Sequence, residues 1–205
     1  MSNGTAAAAT IPLGTTLAGT TVFMSSYMLP LQYSSSAFVN AIAPLGISVN
    51  TSHQLIVSLG STISVPLAVD VGPAEPAVFA YPLPGDPPAQ GAIVNGLSYL
   101  VAQPGTPATA GDPLAIFCTG LGTVDQTVQD GTGAPSSPLA NTQATPTVTI
   151  GGQPAHVFFS GLTPGSVGLY QINVSVPSGV TPGNQVPVVI TIDGQTSPTV
   201  TIAVR

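Results

Sequence analysis

The clearest pattern in this chain is the run Gly168-Leu-Tyr-Gln-Ile-Asn-Val-Ser-Val-Pro177. Leu169, Ile172, Val174 and Val176 are apolar, and from Gln171 onward they alternate with Gln171, Asn173 and Ser175. A period of two predicts a half-buried strand. Pro177, which has no N–H to offer a ladder, ends it. Phe38-Val-Asn-Ala-Ile-Ala-Pro44 is an imperfect copy: Asn40 matches Asn173 and Pro44 matches Pro177, both 133 residues apart. The chain therefore reads as two versions of one β-unit.

Other short apolar runs fill in the pattern. The first unit is expected to hold strands at 20–24, 27–33 and 37–43, then a hairpin of 54–58 with 63–71 around Gly60. Residues 72–110 form a Pro/Gly-rich connection. Within it Asn95-Gly96, between apolar runs, predicts a hairpin over 92–101 bridging two domains. Strands are expected at 113–118, 147–150, 155–159, 168–176, 185–192 and 199–204, with turns at Gly151-Gly152 and Asp193-Gly194. The fold class is all-β: two immunoglobulin-like β-sandwich domains in tandem, over 14–71 and 111–205.

Aligning the two units exposes a deficit. Thr147-Val148 corresponds to Thr21-Val22, and 187–204 to 55–69. In the second unit 113–118 and a long polar loop lie ahead of Thr147; only 20 residues precede Thr21. The first unit is thus expected to lack its opening strand. A sandwich one strand short exposes apolar surface and unpaired edges. A strand from another molecule is one remedy. Residues 1–13 are the candidate donor arm, with Ala7, Ala9, Ile11 and Leu13 alternating on one face and nothing obvious pinning the segment to its own domain. Entering a neighbour, the arm would make a heterologous contact that repeats into a filament of identical subunits.

Composition sharpens this reading. Gly (23) and Pro (22) are abundant, Lys is absent and the one basic residue is Arg205, which argues for strands and turns rather than helices. A net charge of −6 carried by seven acids argues against nucleic acid and anionic lipid as partners. Mean hydropathy is +0.47, high for a soluble monomer, and a Ser/Thr/Gly/Ala surface invites self-association or glycans. No apolar run is long enough to insert in a membrane.

Asp112-Pro-Leu-Ala-Ile-Phe-Cys-Thr-Gly-Leu-Gly122, Thr147-Val-Thr-Ile-Gly-Gly-Gln-Pro-Ala155, Phe159-Ser-Gly-Leu-Thr-Pro-Gly165 and residues 168–177 resemble a family of uncharacterised secreted bacterial proteins. That family is typified by the C-terminal domain of Solibacter-type acidobacteria. The resemblance covers about 104–205 closely and 11–101 loosely. It implies an exported, cell-surface β-protein and brings no catalytic residues. Family members usually carry an opening strand before their first unit, which this chain lacks.

No nucleophile elbow or phosphate loop occurs. Cys118, in an apolar run, reads as a buried small hydrophobe. His156 reads as strand-borne with its ring outward, and His53 as a turn residue. Asp125 and Asp130 are the one weak calcium candidate. Asn3 and Asn50 are candidate glycosylation sites; Asn173, in a strand, is expected to be inaccessible. The expectation is therefore a non-enzymatic extracellular subunit with no cofactor or metal, forming a homopolymer through its N-terminal arm. The alternative is a monomeric secreted immunoglobulin-like adhesin or carbohydrate-binding module.

Overall fold

In the computed structural model, which describes residues 4–81 and 89–205, the alternating runs become short strands, and no helix occurs among the described residues. The chain divides into two compact units. The first comprises Met1–Pro73 together with Gln126–Ala140 and Pro164–Gly168; the second comprises Ala74–Asp125, Asn141–Thr163 and Leu169–Arg205.

The first unit holds β1 (Ala6–Ala7), β2 (Thr16–Leu17), β3 (Thr20–Met24), β4 (Tyr27–Met28), β5 (Leu31–Ser34), β6 (Val39–Ala41), β7 (Thr51–Leu59), β8 (Thr62–Ile63) and β9 (Leu67–Val71). One sheet has the order β1-β5-β6; the other runs β2-β3-β7, with β8 and β9 both pairing β7 and β4 pairing β3. Val22, Met24, Leu29 and Leu31 form the buried core, with Val39, Ala41, Leu55, Val57, Val69 and Val71 packed on it but only partly covered. The expected strand at 27–33 is two strands. Pro30 cannot donate to a ladder, and at that point the chain leaves β3's sheet and joins the other.

The second unit holds β10 (Ala77–Val78), β11 (Ala80–Tyr81), β12 (Gln90–Gly91), β13 (Ile93–Asn95), β14 (Pro113–Thr119), β15 (Thr147–Ile150), β16 (Gln153–Leu162), β17 (Tyr170–Ser175), β18 (Gly183–Ile192), β19 (Gln195–Thr196) and β20 (Val200–Val204). Their order, β10-β14-β17-β16-β15-β18-β20-β12-β11, makes a nearly closed, barrel-like sheet. β16 carries the sheet round the corner, pairing β15 through its first residues and β17 through the rest. Alternate residues of β14, β17, β18 and β20 fill the interior, among them Leu114, Ile116, Ile172, Val174, Val188, Ile190 and Ile202.

The connection expected at 72–110 is instead woven into this second sheet. β10 and β13 pair with β14, and β12 lies parallel to β20. Val78, Ile93, Ala102 and Ala108 are buried there, and that apolar burial outweighs the Pro-rich composition that suggested a linker. Asn95-Gly96 is not a two-residue turn. The chain reverses over 95–100, and the positive φ falls on Tyr99. Asn95 organises the loop, its Oδ1 accepting the N–H groups of Leu97 and Ser98 while Nδ2 donates to Asp112 at 2.7 Å.

Strand pairing in one unit repeats that in the other over most of its length, departing where β18 bulges between Gly183 and Val186 and β7 does not. Val22 faces Val57 as Val148 faces Ile190. Leu55 faces Leu67 as Val188 faces Val200. Ser58 faces Ile63 as Thr191 faces Thr196. Even the bulge recurs: register slips between Leu31 and Tyr33 opposite Asn40, and between Val157 and Phe159 opposite Asn173. From β6 to β9 the separation is a constant 133 residues, so Leu55 answers to Val188 and Val71 to Val204. This corrects the looser match of 187–204 with 55–69.

Candidate assembly site

The repeat turns a difference in pairing into a local finding. In the second unit β17 lies between β16 and β14, and β14 drives Leu114, Ile116 and Cys118 into the interior. Its counterpart β6 pairs, among the described residues, with β5 alone. Ile42 donates its N–H to Pro30 on the β5 side at 2.9 Å. Successive N–H groups alternate along a strand, so those of Ala41 and Val39 point to the open side.

A second difference lies on the other sheet. The outward N–H groups of Thr201, Ala203 and Arg205 donate to the carbonyls of Ala89, Ala102 and Ala108, which seal the free side of β20. The counterpart β9 pairs, among the described residues, only with β7. Coverage follows pairing. Val200 is 4% exposed, whereas its counterpart Leu67 is 62% exposed. Ile202, Val204, Ile172 and Val174 are buried; Val69, Val71, Val39 and Ala41 are only partly so. Apolar area left in water forgoes about 25 cal/mol per Å², and an open edge templates further pairing.

The arm is held within its own unit, contrary to the expectation that nothing pins it. β1 pairs antiparallel with β5, Ala6 opposite Ser34 and Ala7 opposite Tyr33. Ala8 donates to Gln32 at 2.9 Å, and Leu13 donates to Gly131 at 2.8 Å. At Gly131 φ is +77°, and a Cβ would stand 3.0 Å from the Leu13 carbonyl, so the site requires glycine. β1 lies on the edge of β5 away from β6, so the arm does not take the position that β14 holds in the second unit. Of the expected donor face, Ala7, Ala9 and Ile11 are exposed, Ile11 at 55%, and Leu13 is half-buried. The β9 edge was missed because neither its strand nor its sequence is unusual; the 133-residue offset carried along to 200–204 is the signal that finds it.

The remaining candidates are quickly placed. Cys118 is fully buried, and desolvation pushes its thiol from 9.0 up to about 12. Tyr170, pushed up to about 12 by burial and by Cys118, donates its hydroxyl to the Gly122 carbonyl. His156 is exposed on β16, its ring 6.3 Å from that of Phe158. His53 is not a turn residue but a buried member of β7, its Nδ1 3.1 Å from the Ser25 hydroxyl and its Nε2 2.8 Å from the Ser48 carbonyl. The Asp125 carboxylate accepts both the backbone and side-chain N–H of Asn141 at 2.9 Å, and the described residues hold no cluster of metal-ligating side chains. Asn50 is exposed, and Asn173 is half-buried in β17; Asn3 lies outside the described residues. Comparison with family models, with curated proteins and with solved structures found no match for this chain.

Proposed function

We propose that this chain is the structural subunit of an extracellular, pilus-like filament, in which the N-terminal arm of one copy completes the immunoglobulin-like first unit of the next. The observation that supports it is the pairing of β17 with both β14 and β16 against the pairing of its counterpart β6 with β5 alone. β-Strand addition fills such an edge with main-chain hydrogen bonds and seats alternate side chains in the interior. The arm offers an exposed apolar face at Ala7, Ala9 and Ile11, and its release surrenders the two-residue ladder of β1 with the bonds of Ala8 to Gln32 and of Leu13 to Gly131. Donor and acceptor are different surfaces, so the contact propagates. With so few charges, copies repel one another little.

Electron microscopy and sedimentation of the full chain test this. Wild type forms fibres; Ala9→Asp with Ile11→Asp, both on exposed positions, leaves a folded monomer. Fibres undiminished by the double substitution overturn the reading. A monomeric sugar-binding role is favoured by one feature of the second unit: Tyr99, 82% exposed, lies in the chain between Ser98 and Leu100, which line a pocket with Asn95, Thr106, Asp112 and Arg205. A specific glycan-array hit by a monomeric chain supports that role instead.

A further inference from the structure

We propose that β9 is a second acceptor edge, and that the segment entering from a second copy of this chain adds to it in parallel as well as to β6. This rests on the filament reading and extends it to a surface that reading does not use.

The second unit supplies the template. There the stretch 102–119 reaches both sheets, and Ala89, beside β12, completes the seal on β20 by accepting the Thr201 N–H. The stretch first runs parallel to β20, through the bridge of Ala108 with Val204 and the bonds from Ala203 to Ala102 and from Arg205 to Ala108. It then becomes β14, antiparallel to β17. Position for position, Thr201, Ala203 and Arg205 correspond to Ala68, Asp70 and Gly72. Over Leu67 to Val69 the pairing of β9 with β7 has the register of β20 with β18, and the Val71 carbonyl accepts the Asn50 N–H on the β7 side, so by alternation the N–H groups of Ala68 and Asp70 face away from β7. Leu67 stands opposite Leu55 on the core-facing side and yet is 62% exposed, which is what a missing parallel neighbour leaves behind. A second copy is the occupant because β6 and the Asp70 end of β9 are counterparts of edges that the stretch 102–119 seals together in the second unit, with Ala89 extending the seal to Thr201, the counterpart of Ala68. A segment that fills one edge is therefore delivered to the other.

Hydrogen exchange on full-chain polymers, quenched and then dissociated for residue-level mass spectrometry, decides the matter. The amides of Ala68 and Asp70 are expected to exchange roughly 100-fold more slowly in polymer than in monomer, together with those of Val39 and Ala41. Slow exchange at Val39 and Ala41 with fast exchange at Ala68 and Asp70 overturns this inference and leaves the filament reading standing. A chain that stays monomeric, or protection at neither edge, overturns both. Ala68→Pro gives an independent reading, since it removes an outward N–H and no bond to β7. It is expected to raise the critical concentration for assembly about tenfold while leaving monomer unfolding unchanged; an unaltered critical concentration also overturns the inference.

Discussion

Ser64 is bound to Val57 twice: its N–H donates to the Val57 carbonyl at 2.8 Å, and its hydroxyl accepts the Val57 N–H at 3.0 Å. Ser197 holds Ile190 in the same way, at the same two distances. In each unit the serine stands in for a ladder residue where the pairing partner of one long strand passes to the next. The two sites differ in exposure: Ser197 and Ile190 are buried, whereas Ser64 is exposed. Removing the hydroxyl from Ser197 strands a buried N–H, which costs about 1–3 kcal/mol. At Ser64 water replaces it. Ser197→Ala is therefore expected to lower stability by about 1–3 kcal/mol and Ser64→Ala by roughly 0.5 or less, read from the denaturant midpoint of the monomer.

Alkali should unfold the second unit through two neighbouring groups. Cys118 and Tyr170, opposite one another in β14 and β17, both have their ionisation pushed up to about 12, from 9.0 and 10.0. Above pH 9 the unfolded chain loses these protons first, so the folded state holds more protons and stability falls as pH rises. The stabilisation is complete below pH 9 and is lost between pH 9 and 12, at up to about 1.4 kcal/mol per pH unit for each group. Cys118→Ala should flatten the part of that fall between pH 9 and 10. Equilibrium unfolding at a series of pH values checks it, and a slope unchanged by the substitution contradicts it.

Glycine is indispensable at one turn and merely convenient at another. At Gly120 φ is +75°, and an added Cβ would lie 1.8 Å from the Glu75 carbonyl oxygen, which belongs to backbone held by the bond from Glu75 N–H to Gly120. Gly152 has φ +76° and open space around it. Gly152→Ala is expected to cost about 1–2 kcal/mol, the strain of the left-handed conformation alone. Gly120→Ala must also displace backbone, so folding of the second unit is expected to fail or to lose roughly 4 kcal/mol or more. Thermal unfolding of the two variants side by side measures the difference.

What could be read from the sequence was what local alternation encodes. β14 and β17 carry period-two runs long enough to stand out, and β3 was located to the residue. The strands of 72–110 are two or three residues long, too short for a period to register, and they form because β14 and β20 offer edges to pair with. β7 begins at Thr51, three residues before the expected start, so His53 was placed in a turn; the groups that hold its ring come from two separate turns that only the fold brings together. That β6 pairs with β5 alone among the described residues, where β17 has two neighbours, stands out because the repeat can be laid beside itself. The arm's pairing with β5 was not legible, since Ala6 and Ala7 are too small and too uniform to prescribe a register.

Leu67 and Val200, equivalent in register and opposite in exposure, give the proposed assembly its plainest thermodynamic test. Val200 is packed against neighbours on all sides, so Val200→Ala should destabilise the monomer by about 1–3 kcal/mol. Leu67 is mostly in water in the monomer, so Leu67→Ala should change monomer unfolding by roughly 0.5 kcal/mol or less. In a polymer whose first unit is sealed along β9, Leu67 takes the environment of Val200, and the same substitution should cost about 2–5 kcal/mol per subunit. Denaturant-induced dissociation of polymers, set against unfolding of the monomer, separates the two quantities. An effect of Leu67→Ala that is equally small in both states would mean that this leucine meets no partner on assembly.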